Sequence, residues 1–182
     1  MATTRDQLIE KTCELLEMQG YHATGLNQII KESETPKGSL YYHFPGGKEE
    51  LAIEAVSYVG RIVLNRITEN LAEIDDPAEA IKMFIRNIAV NVERSGYRAG
   101  GPITTIALET ASGSDSLRET CHRIYSEWQT AFAEKLSDHP RAESIATLII
   151  ASIEGGVILC RTSRSRTPLE RVADEVAALI AG

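Results

Sequence analysis

Apolar residues recur along the chain at intervals of three and four, the spacing that places them on one face of an α-helix. The first segment, TRDQLIEKTCELLEMQG, has its apolar side chains on one stripe and acidic ones opposite, and Gly20 is predicted to end it. No long alternation of apolar and polar residues and no Asn-Gly or Asp-Gly turn indicates strands or hairpins. The pattern therefore predicts an all-α chain of about nine helices.

Two short helical segments, TGLNQIIKES and TPKGSLYYHF, follow the first helix. Thr24 and Thr35 are predicted to cap them, with Pro36 in the first turn of the second segment. Helices of about ten residues are marginal in water, so tertiary packing must hold them. Two such helices joined by a turn form a helix-turn-helix, whose second helix enters the DNA major groove.

Adjacent tyrosines in the third helix cannot both face the same core. Phe44 and Leu40 lie four residues apart, so we predict that they pack inward together with Tyr41. Tyr42 then faces outward, as do Lys37, Ser39 and His43, and Gly38 allows another surface to approach closely. Outward donors of this kind suit phosphate oxygens and base edges.

The stretch GYHATGLNQIIKESETPKGSLYYHFPGGKEEL resembles the DNA-binding domain of the TetR/AcrR family of bacterial transcriptional regulators. The resemblance implies a DNA-binding domain at residues 4–48, with a signature reaching about residue 64 and a helix-turn-helix at about 27–46. Residues 49–182 would then form a ligand-binding and dimerisation domain. The implied DNA-contacting residues are Thr24, Thr35, Pro36, Lys37, Gly38, Ser39, Tyr41, Tyr42, His43 and Lys48.

Two later stretches resemble the LmrA/YxaF-like subgroup of that family: GGPITTIALETASGSDSLRETCHRIYSEWQTAFAEKL and ASIEGGVILCRTSRSRTPLERVADEVAALI. This resemblance implies a homodimeric repressor that a small lipophilic or aromatic inducer releases from double-stranded operator DNA.

Apolar stripes on the last two helices suggest where two subunits would meet, because two such helices from each subunit can form a four-helix interface. The predicted interface residues are Ile145, Leu148, Ile149, Ser152, Ile153, Gly156, Leu169, Val172, Val176 and Ile180. The same stripes can instead pack within one chain, and the sequence leaves both interpretations open.

A ligand cavity is predicted between the middle helices, since small-molecule sites are largely apolar with a few polar groups. The predicted lining is Phe84, Ile88, Tyr97, Ile103, Leu108, Trp128 and Phe132. Each can equally be an ordinary core residue. Trp128, the only tryptophan, is the strongest single candidate.

Composition is that of a globular protein, with 43% hydrophobic and 25% charged residues among 182. A net charge of −7 argues against nucleic acid for the chain as a whole, but Lys31, Lys37 and Lys48 give local basicity. We therefore predict a modest, salt-sensitive affinity for non-specific DNA. The absence of an N-terminal apolar signal core, together with the three widely spaced cysteines, favours a reducing, cytoplasmic location.

No residue pattern points to a cofactor, a metal or a membrane. Cys121, His122, His139 and Cys160 lack zinc-ligand spacing. The apolar stretch TLIIASIEGGVILC is interrupted by Glu154, which is either an acid of raised pKa or a capping or interface residue, and we predict that it is too short to span a bilayer. The RTSRSR segment is predicted to be a solvated loop.

The alternative to a ligand-gated regulator is an all-helical enzyme or carrier. A regulator needs Lys37 and Tyr42 for DNA, whereas an enzyme or carrier would be indifferent to both. No catalytic motif supports an enzyme, so we predict a DNA-binding regulator without enzymatic activity.

Overall fold

The computed structural model describes residues 3–182, which form nine α-helices and no strand. The helices are α1 (Thr4–Ala23), α2 (Leu26–Glu32), α3 (Lys37–His43), α4 (Gly47–Ala72), α5 (Pro77–Arg94), α6 (Thr104–Thr110), α7 (Asp115–Lys135), α8 (Ala142–Ser163) and α9 (Thr167–Ala181). The predicted all-α architecture is confirmed. Each predicted helical segment corresponds to one of these helices, with ends displaced by a few residues.

α1 begins at a capping box and is anchored by leucines. The Asp6 backbone N–H donates to Thr3 Oγ1, and the Thr3 N–H donates to the Asp6 carboxylate at 2.9 Å. Leu8 and Leu16 are buried on one face of the helix. Helical geometry breaks at Gly20, where φ is 79° and ψ is −179°, so the predicted interruption is confirmed, although a further turn continues to Ala23.

α2 and α3 are each seven residues long and are held by packing rather than by their own hydrogen bonds. Ile29 of α2, Leu40 of α3 and Phe44 are at most 1% exposed, and both helices contact α1. Burial of such side chains stabilises the fold by roughly 1.5–3 kcal/mol each. The prediction that this packing holds the two short helices is confirmed.

Thr24 does not cap α2, contrary to the sequence-based prediction. Gly25 is the N-cap, without a side-chain hydrogen bond, and the Thr24 hydroxyl instead donates to the Gly20 carbonyl at 2.7 Å. Thr24 therefore secures the end of the preceding helix. The spacing of four residues from Gly20 is the one signal that would have indicated this role.

The predicted capping of α3 by Thr35 is also wrong. Pro36 is the N-cap, and no side chain caps the helix. The buried Thr35 hydroxyl lies 2.8 Å from Ser33 Oγ. The two hydroxyls satisfy one another in the turn between α2 and α3.

The chain divides into two compact units that do not follow the predicted boundary at residue 48. One unit comprises the chain up to Arg61 together with Pro102–Ile124, and the other comprises Ile62–Gly101 and Tyr125–Gly182. The first unit thus contains α6 and the beginning of α7 as well as the helix-turn-helix. The functional division at 48 and 49 stays a prediction.

The second unit is built around α5, α8 and α9, which contact one another. α5 starts with Asp76, whose side chain accepts from the Glu79 N–H at 2.8 Å, and with Pro77 in its first turn. Ile81, Ile85 and the other residues of its apolar stripe are buried. Arg86 and Asp174 form an exposed ion pair at 2.8 Å, which contributes little to stability.

α8 has 22 residues and contains the apolar stretch TLIIASIEGGVILC. The whole helix is long and apolar enough to cross a membrane by length and composition, whereas the prediction concerned only the shorter stretch. Ile145, Ile149 and Val157 of α8 are nevertheless buried within the chain, and the helix packs on α5 and α9. Core helices of globular proteins have the same length and composition.

The RTSRSR segment is only partly the solvated loop that the sequence predicted, because Arg161–Ser163 form the end of α8 and residues 164–166 alone connect α8 to α9. Arg164 is exposed and ends α8 with a left-handed φ of 48°. Arg166 forms exposed ion pairs with Glu93 at 3.3 Å and Glu170 at 2.8 Å.

Candidate nucleic-acid interface

α3 presents a polar and aromatic face to solvent. Pro36, Lys37 and Gly38 are exposed, Tyr42 is 81% exposed, and Ser39 and His43 are partly exposed. The predicted outward orientation is thus confirmed, while contact of these residues with DNA stays a prediction. Leu40 and Phe44, on the opposite side, fix this face relative to α1.

Tyr41 is the exception to the predicted arrangement. It was expected to pack inward beside Phe44, but it is 48% exposed and lies on the outward face with Tyr42. Leu40 and Phe44 are the buried residues on this side of α3, which contacts α1, and each is at most 1% exposed. The expectation that Tyr41 belongs to the core is therefore wrong. Its predicted contact with DNA stays a prediction.

The centre of this face is open enough for a second molecule to approach the helix backbone. A side chain added at Gly38 would meet no protein atom within 4 Å. The Tyr42 and His43 rings lie edge to face beside it, with their centroids 5.0 Å apart. The described residues leave room for a side chain at this position. We therefore expect that only a bound partner would require glycine there.

Lys48, the predicted phosphate clamp, is half-buried in the first turn of α4. Its Nζ atom lies 4.3 Å from the centroid of the Tyr21 ring, a cation–π contact that the sequence-based reasoning missed. Burial lowers the pKa of the Lys48 ammonium group, and the nearby Glu109 carboxylate opposes that shift. The Gly-Tyr pair at the end of α1 was the only sequence signal for this contact.

Thr24 and Thr35 offer little to a DNA partner through their side chains. They are 1% and 7% exposed, and both hydroxyls have the intrachain partners described above. The structure thus brings eight of the ten predicted DNA-contacting residues to or near the surface and keeps these two inside.

The predicted ligand residues do not all lie in one place. Phe84 and Phe132 pack edge to face in the second unit, with ring centroids 5.6 Å apart, and Trp128 is 5% exposed there. Ile88 and Tyr97 are half-buried in the same unit, whereas Ile103 is buried in the first unit. Their role in ligand binding stays a prediction.

Leu108 does not line an enclosed cavity in this structure. It belongs to α6 in the first unit, and its side chain is 76% exposed. α6 buries Ile106 and Thr110 instead, so the helix turns Leu108 towards solvent.

A polar pair beside Trp128 was not predicted as part of a site. The Tyr125 hydroxyl donates to the Glu154 carboxylate at 3.1 Å, and the Tyr125 and Trp128 ring centroids are 5.4 Å apart. The roles considered for Glu154 did not include a hydrogen bond to a residue of α7, which is what the structure shows. The separation of 29 residues hid this pair from pattern reasoning.

The predicted dimer residues divide into two sets. Most pack inside the chain, as the alternative interpretation stated: Ile145, Ile149, Ile153, Gly156, Leu169 and Val176 are buried. Leu148 is 44% exposed, and Ser152, Val172 and Ile180 are partly exposed. Leu148, Ser152 and Val172 help to line a groove of about 400 Å³ between α8 and α9, in the second unit.

Exposed leucine and isoleucine side chains extend the same face of α8, although the prediction did not include them. Ile158 is 50% and Leu159 is 57% exposed. Leu159 follows Leu148 by eleven residues, about three helical turns, so the two lie on one line along α8.

All three cysteines are free thiols in this structure. Burial raises the pKa of Cys13 to about 12 and that of Cys121 to about 11, and it also raises the pKa of Cys160. Thiols of this kind are poor nucleophiles. Cys121 and Cys160 are buried, whereas Cys13 is half-buried and its sulfur lies 3.3 Å from the Ala55 carbonyl oxygen.

Within residues 3–182, no cluster of three or more His, Cys, Asp or Glu side chains could hold a metal ion. The candidate nucleic-acid interface consists of α3, with its aromatic and basic face, and of Lys48 at the start of α4.

Comparison with known proteins identifies the family of the chain. The profile described as bacterial regulatory proteins, tetR family, matches residues 8–55, and that of the LmrA/YxaF-like transcriptional regulator C-terminal domain matches residues 77–175. This chain belongs to the TetR family. It is a transcriptional regulator with an N-terminal DNA-binding domain and an LmrA/YxaF-like C-terminal domain, as the sequence resemblance implied.

Relatives support the same assignment over nearly the full length. The HTH-type transcriptional regulator YxaF of Bacillus subtilis is 44% identical over 181 residues, which cover 97% of this chain and 95% of the relative. LmrA of the same organism is 41% identical over 174 residues, 93% of each chain. These identities extend across both the DNA-binding and the C-terminal regions of this TetR-family chain.

A solved structure shares the fold. A cysteine mutant of CifR, complexed with 26 bp double-strand operator DNA, superposes with a TM-score of 0.84 and covers 98% of this chain and 97% of its own. Its sequence identity is 19%, so the likeness shows the common fold alone.

Proposed function

We propose that this TetR-family regulator is a cytoplasmic homodimeric repressor that a small lipophilic or aromatic ligand releases from its operator. The observation that carries the proposal is the exposed face of α3, where Lys37, Tyr41 and Tyr42 surround an open Gly38. A helix that enters the major groove needs donors on its outer face and close backbone approach. α3 has both, and buried Leu40 and Phe44 hold it rigidly.

Lys48 and the residues of α3 would contact different parts of the DNA. Lys48 lies at the first turn of α4, outside α3, and a cation there suits a backbone phosphate. Lys37, in the first turn of α3, would reach base edges. The chain's charge of −7 limits long-range attraction to DNA. Binding should still weaken with salt, in proportion to the number of phosphates that the lysines contact.

Dimerisation is supported by the uncovered aliphatic face of α8. Leu148, Ile158 and Leu159 are 44–57% exposed although they are large and apolar. Large apolar side chains left exposed in this way indicate an interaction site, and a twofold axis brings the same face of two subunits together. Two subunits would then present their α3 helices to half-sites about 34–36 Å apart.

Release by a ligand requires that the ligand bind the DNA-free conformation more tightly than the DNA-bound one. The aromatic side chains of the second unit, Phe84, Phe132 and Trp128, are the surface on which a lipophilic or aromatic compound would pack. A ligand that shifts α4 would alter the spacing of the two α3 helices and weaken operator binding.

The decisive experiment measures DNA binding by fluorescence anisotropy. Wild-type protein, Lys37→Ala and Tyr42→Ala are titrated onto labelled DNA from around the protein's own gene and onto scrambled DNA, each at two salt concentrations. Tight, sequence-selective binding by the wild type and its loss in both variants would support the proposal. Absence of binding to any DNA, with variants identical to the wild type, would favour an all-helical carrier or enzyme instead.

A further inference from the structure

Glu109 of α6 closes the end of α1. Its Oε2 atom accepts hydrogen bonds from the backbone N–H groups of Tyr21 at 2.7 Å and His22 at 3.0 Å. The His22 ring Nε2 also lies 3.3 Å from the Glu109 carbonyl oxygen. One carboxylate thus binds two consecutive backbone donors that lie 88 and 87 residues away in sequence, and such charge-assisted bonds are stronger than neutral ones.

Gly20 makes this contact possible. It is buried, its φ of 79° lies in the region that favours glycine, and a side chain there would overlap the Glu109 carboxylate. The glycine that interrupts α1 is therefore also the residue that admits the α6 carboxylate to the α1 backbone.

Glu109 binds the backbone of Tyr21, and the Tyr21 ring contacts Lys48. The Lys48 Nζ atom lies 4.3 Å from the Tyr21 ring centroid. A hydrogen-bonded backbone at Tyr21 fixes the direction of the side chain, and the ring in turn fixes the ammonium group. Glu109 therefore reaches Lys48 through two adjacent contacts inside one compact unit, in addition to the direct effect of its charge on the ammonium group.

A second contact from the same part of the chain lies next to Lys48. Ser114 Oγ donates to the carboxylate of Glu49, and it accepts from the Leu117 N–H at 3.2 Å at the start of α7. The segment from Glu109 to Ser114 thus binds Tyr21, whose ring contacts Lys48. It also binds Glu49, which follows Lys48 in the sequence.

We propose that Glu109 is a positioning residue for DNA binding, which holds Tyr21 so that Lys48 presents its ammonium group to a DNA phosphate. The inference rests on the proposed function, because it requires that Lys48 contact DNA. It adds a defined role for α6, a helix outside the helix-turn-helix, in the geometry of the DNA-binding surface.

The test uses variants that separate geometry from charge. Glu109→Gln loses the charge but keeps a side-chain oxygen at the same distance, and Glu109→Asp keeps the charge but withdraws it by one methylene. Glu109→Ala loses both. Glu69→Ala is the matched control, since Glu69 is exposed on α4 and its replacement changes the net charge equally. Lys48→Ala and the Glu109→Ala/Lys48→Ala double variant complete the set.

The probe is a short fluorescein-labelled duplex of arbitrary sequence, because phosphate contacts do not depend on sequence. Binding is followed by anisotropy at several NaCl concentrations, and thermal melts confirm folding. We expect Glu109→Ala and Glu109→Asp to bind roughly tenfold more weakly and to lower the salt dependence as Lys48→Ala does, by about one phosphate contact per subunit. Glu109→Gln and Glu69→Ala should bind like the wild type.

The double variant decides whether Glu109 acts through Lys48. If it does, the double variant binds like Lys48→Ala alone, since no positioned lysine remains to be lost. Additive losses, or equal losses in Glu109→Gln and Glu109→Ala, would overturn the inference while leaving DNA binding by the wild type intact. Wild-type protein that binds no duplex would overturn the proposed function, and the inference with it.

Discussion

The exposed faces of α3 and α8 differ in chemistry. α3 exposes tyrosines and a lysine around an open glycine, whereas α8 exposes Leu148, Ile158 and Leu159. Aromatic and basic donors suit a polar, negatively charged partner, and aliphatic side chains suit a dry, self-complementary one. The contrast supports the two proposals that α3 contacts DNA and that α8 contacts a second copy of the chain.

The two helices also differ in how they are supported. α3 has seven residues and depends on Leu40 and Phe44 for its position. α8 has 22 residues and buries a complete stripe against α5 and α9, so its outer face could change without loss of the helix. Substitutions on the two exposed faces should therefore affect association far more than folding.

The largest effect is expected from Leu159→Glu on α8. In a twofold interface this buries two uncompensated carboxylates, each of which costs several kcal/mol. We expect a monomer in analytical ultracentrifugation at concentrations where the wild type is dimeric, and operator binding weakened by more than about 100-fold. The single chain should still fold, because Leu159 is 57% exposed in it, but the melting temperature should fall to a value that no longer depends on protein concentration, since dimerisation no longer stabilises the folded state.

Met83→Glu is the matched control for that variant. Met83 is 45% exposed on α5, so it undergoes the same apolar-to-acidic change outside the α8 face. A dimer that survives Leu159→Glu, or one that Met83→Glu dissociates equally well, would contradict the assignment of α8 as the contact between copies.

The next effect in size is expected from Tyr42→Ala on α3. Loss of one direct DNA contact costs about 1–3 kcal/mol, which corresponds to roughly 5- to 150-fold weaker operator binding in anisotropy titrations. Because Tyr42 is 81% exposed, its removal should leave the free energy of unfolding within about 0.5 kcal/mol of the wild type. Met18→Ala, at another exposed position on α1, should change neither quantity. Equal loss of binding and stability would mean that Tyr42 is structural.

Pattern reasoning succeeded where neighbours along a helix determine the outcome. The periodic leucines of α1, the short α2 and α3, and the outward orientation of Tyr42 all follow from spacing within a few residues. It failed for Tyr41 because spacing alone does not determine which of two adjacent residues at the edge of an apolar stripe is buried. Leu40 and Phe44 filled the available contact, and Tyr41 was left outside.

Long-range partners were beyond reach of the sequence. Glu109 finds the backbone of Tyr21 across 88 residues, and Tyr125 finds Glu154 across 29. Neither pair leaves a periodic signal, because each depends on how whole helices are placed. Thr24 was misassigned for a related reason: its hydroxyl can cap the following helix or bond back to Gly20, and packing at the end of α1 selects the second.

A smaller effect, with opposite signs for folding and binding, is expected from Gly38→Ala. Alanine favours the helix over glycine, and the added methyl group meets no protein atom within 4 Å, so stability should rise by about 0.5 kcal/mol in denaturant titrations. Operator binding should weaken about tenfold, because the methyl group would stand between α3 and the DNA backbone or bases. A variant that gains stability and keeps its affinity would show that DNA does not approach α3 at this point.

The smallest effect is expected from Glu34→Gly in the turn before α3. Glu34 is exposed and has a φ of 54°, a left-handed conformation that is costly for a residue with a side chain, so glycine should stabilise the fold by about 0.5 kcal/mol. Removal of one negative charge beside α3 should also strengthen binding to arbitrary DNA by about twofold at low salt. Glu34→Gln is the control that separates the two, since it removes the charge and keeps the strained backbone. It should reproduce the gain in affinity without the gain in stability. A gain in affinity for Glu34→Gly that is absent in Glu34→Gln would show that backbone geometry rather than charge limits how this surface meets DNA.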